Sequence, residues 1–287
     1  MNSVIRKYTG SNIAKTLGGD AEILYNACME YMHAAFGDNV EYQRLENQIL
    51  LCDETRDFLY SAPERVKYTK GTRPVLDKIV NDLCKDAVSE REKVLAILVF
   101  IRDLRLKFDG LDFFYGGTEE ELIKKGERYC ERVARLMVAL CEVAGIPGRI
   151  VFHLQGHITS EIYLDSKWSY FDPRFGVFFV DDKECILSVD ELVHNHEIMH
   201  HQPQWVLDFV SPELIKASLP DAYSQRHTKY FEPIELQCME YYSLTHAERY
   251  NFEWMPNYEY KGNPKREEAH ARYVEAIKNY YKEAVHL

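Results

Sequence analysis

The spacing of apolar residues predicts helices at both ends of the chain and a short run of strands between them. Residues 21–36 read as a helix ended by Gly37, Asp38 and Asn39. Residues 74–85 and 89–107 read as two more. The second opens on Ser89 with Glu92 three positions on, a capping-box signature, and carries Val94, Ile97, Leu98 and Ile101 at helical spacing. Residues 130–144 give the clearest helix. Val133, Met137, Leu140 and Ala144 form one stripe, and Gly145-Ile146-Pro147 supplies the stop. Residues 149–154, 158–164 and 167–171 are short apolar runs of strand type, and Asp165-Ser166 predicts a tight hairpin between the last two. Residues 188–201 read as helical, with Ser188 and Glu191 as a second capping box, and residues 264–287 as a charged amphipathic helix. The pattern assigns neither 41–60 nor the aromatic-rich 205–263. Helices, then strands, then helices predict an α+β fold rather than alternating βα units. The expected organisation is an N-terminal helical lobe (1–73), a core (74–205) and an aromatic-rich, helical extension (206–287), together one compact unit.

Composition narrows the class. The 287 residues carry a net charge of −11, 46% hydrophobic and 28% charged residues, which excludes a disordered or fibrous chain. An acidic balance argues against a nucleic-acid partner, because phosphate contacts need a basic face. The longest apolar run, 94–101, is far short of a membrane span, and the N-terminal residues lack a signal-peptide core, so a membrane partner is not expected either. Seven cysteines without a CxxC pair read as reduced thiols in a cytoplasmic protein. No cofactor is expected.

Cys130 falls at the predicted start of a helix, where partial positive charge and unpaired N–H groups favour a thiolate. The same N–H groups are suited to hold an oxyanion. Residues 124–150 hold six Lys or Arg against three Glu, a locally basic setting. The bland alternative is a buried core thiol. If Asp165-Ser166 is the turn, Leu164 pairs with Lys167 and Thr159 with Asp172. His157, Thr159, Glu161 and Tyr163 then share a face with Trp168, Tyr170 and Asp172, and His157 lies diagonal to Asp172 within hydrogen-bond reach. A carboxylate there fixes the imidazole tautomer and stabilises its cation.

Taken together, these residues resemble the transglutaminase-like superfamily of papain-type cysteine enzymes. The first motif runs Gly126-Glu-Arg-Tyr-Cys130 through Ala134, Leu136 and Leu140 to Gly145-Ile-Pro147-Gly-Arg149. It is similar to the family's Cys helix and following Gly-Ile-Pro-Ala-Arg turn, with Gly148 in place of Ala. The second runs His157-Ile-Thr-Ser-Glu161-Ile-Tyr163 to Trp168-Ser-Tyr-Phe-Asp172-Pro173 and is similar to the family's His strand and Trp-x-x-x-Asp-Pro ending. The resemblance covers about residues 90–180. It implies a papain-like core, with Cys on a helix N-terminus packed on an antiparallel sheet carrying His and Asp, and helical additions at both ends. It implies Cys130 as nucleophile, His157 as base and Asp172 as orienting carboxylate, with Glu161 and Trp168 shaping the hairpin. Tyr129, or a residue of 107–115, is the candidate to complete an oxyanion hole. Thr159 stands where many members have an aromatic residue. Glu131 stands where the crosslinking branch has Trp, which favours hydrolysis or transfer to a small acceptor. The implied partner is a peptide, glycopeptide or small-molecule amide.

Two rival readings remain at this stage. One is a non-catalytic binding or scaffold module that kept the fold; the intact Cys, His and Asp count against it. The other is a zinc hydrolase, because His196-Glu197-Ile198-Met199-His200 is a literal HExxH. On a helix, His196 and His200 would share one face, with Glu197 as base. No clear third ligand follows, and Pro203 closes the helix soon after. Tyr241, Tyr242, Tyr250, Phe252, Trp254, Tyr258 and Tyr260 read as core and interface residues before they read as a sugar groove. Arg65, Lys67, Lys70 and Arg73 read as a solvated connector.

Overall fold

The computed structural model describes residues 3–10, 12–36, 48–63, 66, 68–107, 118–153, 157–211, 240–243 and 264–284. The helices are α1 (Ser3–Lys7), α2 (Asn12–Leu17), α3 (Gly19–Phe36), α4 (Asp53–Leu59), α5 (Pro74–Leu83), α6 (Glu90–Asp103), α7 (Glu119–Lys125), α8 (Cys130–Val143), α9 (Val189–His194), α10 (Gln204–Leu207) and α11 (Pro264–Ala284). The strands are β1 (Gln48–Leu50), β2 (Gly148–His153), β3 (His157–Leu164), β4 (Lys167–Phe171) and β5 (Glu240–Ser243). They form one antiparallel sheet in the order β1-β5-β2-β3-β4. The α+β expectation holds.

The β3–β4 hairpin has the expected register, Leu164 opposite Lys167 and Ser160 opposite Phe171. Asp165 and Ser166 both take positive φ (53° and 66°), the type I′ geometry whose twist matches the flanking strands. Pattern alone missed β1 and β5. Both are short, and β5 lies far along the chain from β2 and β1, which it joins.

Helix α8 runs along one face of the sheet. It is buried almost all round from Arg132 to Glu142, not along one stripe as its apolar spacing suggests. On one side Val133, Leu136, Met137 and Leu140 pack with α5, α6, Ile162 and Leu164. On another, Ala134 and Val138 meet Ile150, Phe152 and Ile158 together with α2, α3 and Tyr273 of α11. Such burial is compatible with three charged side chains only because each has a partner. Arg132 pairs with Glu127 (3.1 Å), Arg135 with Glu119 (3.2 Å), and Glu142 accepts from Tyr68 N (3.2 Å). Gly145 takes φ 85° and ends the helix as its sequence predicts.

Other expectations are corrected in detail. Ser89 caps α6 by accepting from Glu92 N (3.2 Å), but the Glu92 carboxylate accepts from Val88 N (2.8 Å), so the box is only half closed. The helix expected to reach 107 gives way to a 3₁₀ turn at Leu104–Lys107. Arg73 is not a solvated connector residue: its guanidinium pairs with Glu119 (2.8 Å) and Glu120, tying the connector to α7. The helix expected over 188–201 stops at His194, and His196–His200 is a 3₁₀ turn. At three residues per turn, positions 196 and 200 lie about 120° apart instead of about 40°. The backbone therefore does not place both histidines on one face. Among the described residues, no helix is long and apolar enough to cross a membrane.

Candidate active site

Cys130 opens α8, with Tyr129 as the N-cap in extended conformation. The buried Glu127 carboxylate accepts from Arg128 N (2.8 Å), Tyr129 N (2.9 Å) and the Arg132 side chain. It thereby fixes the segment that leads into the helix. The guanidinium carbons of Arg128 and Arg132 lie 5.8 and 5.2 Å from the Tyr129 ring centroid. The first N–H groups of a helix have no intrahelical acceptor, so the Cys130 N–H is open to a ligand at the same place as its thiol.

His157 opens β3, and Asp172 follows the end of β4. The buried His157 Nε2 lies 2.7 Å from Asp172 Oδ2. That leaves Nδ1 as the ring nitrogen for the thiol, and His157 and Cys130 share a hydrogen bond. In a two-residue hairpin, backbone hydrogen bonds fall on alternate pairs, here 164, 162 and 160 with their β4 partners. Ile158 is next in that series, but the ladder ends at Ser160–Phe171. Its N–H serves the Cys130 sulfur instead. The end of β4 thus makes room for the thiol at the sheet's edge.

The two titrating groups move towards each other. Burial pushes the Cys130 thiol up, but the hydrogen bond and charge of His157, the charge of Arg174 and the Ile158 N–H bring it below its ordinary value. Burial pushes His157 down. The charge and hydrogen bond of Asp172, followed by the contact with Cys130, raise it well above the ordinary imidazole value. Both directions favour a thiolate–imidazolium pair. By contrast, burial raises Cys141, in the core of the same helix, well above its ordinary value and leaves it an inert thiol.

Glu161 sits at the centre of a buried network. It binds Arg149 (2.6 and 2.9 Å), Tyr60 Oη (3.0 Å) and Val189 N (2.7 Å). Trp168 donates to Ser61 O (3.0 Å) and lies 4.1 Å from the Arg149 guanidinium carbon. Both residues are engaged in holding the hairpin to α4 and α9. His153, opposite His157 across β2–β3, is buried with its Nε2 at 2.8 Å from Thr159 Oγ1. Thr159, the departure from the family pattern, is thus matched to a polar neighbour.

The basic setting read from residues 124–150 is largely cancelled. Arg132, Arg135 and Arg149 are each paired with a buried glutamate. The cation that reaches Cys130 is Arg174, which sequence reasoning missed. The only signal was its place two residues after Asp172. Glu197 and His200 are exposed, and no group of three metal-ligating side chains occurs among the described residues. The candidate segment 107–115 lies outside the described residues beyond Lys107, as do Tyr250, Phe252, Trp254, Tyr258 and Tyr260.

Comparison with known proteins agrees with this geometry. Residues 77–173 match the model of the transglutaminase-like superfamily, from α5 through the Cys helix to the residue after Asp172. Over these residues, about a third of the chain, the protein is similar to that superfamily. No curated protein and no solved structure matches the chain.

Proposed function

We propose that the protein is a cysteine-dependent amide hydrolase or acyltransferase, with Cys130 as nucleophile, His157 as acid and base, and Asp172 as the carboxylate that orients His157. The observation that carries this reading is one imidazole held between a carboxylate at 2.7 Å and a thiol at a helix N-terminus, with opposed shifts of thiol and imidazole. The thiolate attacks an amide carbonyl, and the S–C bond forms as the carbonyl becomes an oxyanion. The Cys130 N–H is placed to hold that oxyanion. His157 gives its proton to the leaving nitrogen, the C–N bond breaks and a thioester remains. Water or a small amine, deprotonated by His157, then displaces the sulfur. Asp172 keeps the imidazolium stable throughout.

Hydrolysis or transfer to a small acceptor fits better than protein crosslinking, because Glu131 follows the nucleophile. Peptides, glycopeptides and small amides are the substrate class, with no role for nucleic acid or membrane. The six described cysteines are free thiols, which supports a reducing compartment, the cytoplasm. The test is a screen of amide libraries with wild type beside Cys130→Ala, read by mass change. Turnover by wild type alone is expected. Equal turnover, or none by either with Cys130 no more reactive than the other thiols, would leave the chain a non-catalytic module.

A further inference from the structure

The loop after β4 presents a cation to the site. Asp172 Oδ1 accepts from Arg174 N (3.0 Å), and Asp172 and Val177 exchange backbone hydrogen bonds at 2.8 and 3.0 Å, closing a tight reversal. Phe175 O accepts from Ser211 N (2.7 Å), which pins the tip. The Arg174 guanidinium carbon lies 5.0 Å from the Phe175 ring centroid, and that ring lies 6.3 Å from the His157 ring. Arg174 is therefore stacked on the residue that borders the imidazole, and its charge acts on Cys130.

Its pairing sets it apart. Arg73, Arg132, Arg135 and Arg149 each meet a carboxylate. The Arg174 guanidinium, half-buried, makes no ion pair among the described residues, and its neighbour is an aromatic face. A planar fork of donors held half out of water, in a chain of net charge −11, is suited to receive a carboxylate from outside.

We propose that Arg174 is a specificity-determining residue, and that the substrate is an amide bearing a carboxylate near its scissile carbonyl, held by the guanidinium beside Cys130. This rests on the reading of Cys130 as an activated nucleophile.

The test compares an anionic with a neutral reagent at the same sulfur. Cys130 of wild type, Arg174→Gln and Arg174→Lys is alkylated with iodoacetate and with iodoacetamide at low ionic strength, and the rates are read by peptide mass. Each reagent senses the thiolate fraction equally, so the ratio of the two rates isolates the contribution of the guanidinium. The ratio should fall roughly tenfold in Arg174→Gln, the size of one charge-assisted contact, and recover in part in Arg174→Lys. In unmodified wild type, millimolar glutarate should slow iodoacetamide labelling of Cys130, and glutaramide should not. An unchanged ratio in Arg174→Gln, or no protection by glutarate, overturns the proposal while Cys130 still labels ahead of the other thiols. If Cys130 fails to outpace them with iodoacetamide, the nucleophile reading itself has failed.

Discussion

Burial by itself works against a thiolate at Cys130; His157 reverses the balance, and Asp172 in turn sustains the charge on His157. The sign of the pH dependence follows. The reactive pair forms as pH rises through the lowered value of Cys130 and is lost as pH rises through the raised value of His157. Activity should therefore be bell-shaped, with its acid limb below the ordinary thiol range and its alkaline limb above the ordinary imidazole range. Asp172→Asn removes the carboxylate charge that does most to raise His157, so its alkaline limb should move to lower pH. Its kcat should fall on the order of a thousandfold. A pH–rate profile checks both, and an alkaline limb unmoved by Asp172→Asn would contradict the assignment. The placement of Cys130 at a helix start and of His157 beside Asp172 was legible because capping chemistry and hairpin spacing constrain them locally. Arg174 was not, because no periodicity fixes a loop side chain. The basic segment was misleading for the opposite reason: counting charges within it does not reveal that Glu119 of α7 and Glu161 of β3, both outside it, pair with Arg135 and Arg149.

Among the elements, the β3–β4 hairpin positions the site, and its supports are specific. Glu161 is a fully buried carboxylate that satisfies Arg149, the Tyr60 hydroxyl and the N-terminus of α9. Glu161→Ala would break the Arg149–Glu161 ion pair at its buried carboxylate end, at a cost of about 3–5 kcal/mol in unfolding free energy by denaturant titration. Gly176 has φ 70°, and a Cβ there would meet Phe209 O at 2.3 Å and Arg102 Cδ at 2.7 Å. Gly176→Ala should lose about 1–3 kcal/mol from backbone conformation, with the clash adding to it. It should also slow iodoacetamide labelling of Cys130, since the same loop carries Asp172 and Arg174. The hairpin and its register were readable because a period of two and a two-residue turn leave one solution. The HExxH segment was misread because periodicity does not distinguish one α-helical run from a helix broken at Asn195 into a 3₁₀ turn.

For the whole molecule, the sheet draws on parts of the chain far apart in sequence. β5 lies between β1 and β2, and α3 packs on α11 with Tyr31 stacked on Tyr273 at 5.6 Å and Arg272 paired with Glu30. A fragment of residues 74–205 would expose the β2 edge and strip Glu161 of Tyr60. It should associate or aggregate where the full chain does not, as read by size-exclusion chromatography. The α+β class was legible from the order of elements. The outer strands were not, because a strand of three or four residues acquires its identity from the edge it joins. Whether His157 sustains a thiolate at Cys130 is read from the pH dependence of iodoacetamide labelling of that residue. The comparison is with the similarly exposed Cys52 and Cys185, in wild type and His157→Ala. Cys130 should label fastest, with a midpoint below the ordinary thiol range that rises to that range or above it in His157→Ala. Labelling of Cys130 at the pace of Cys52 and Cys185, unchanged by His157→Ala, would contradict the account.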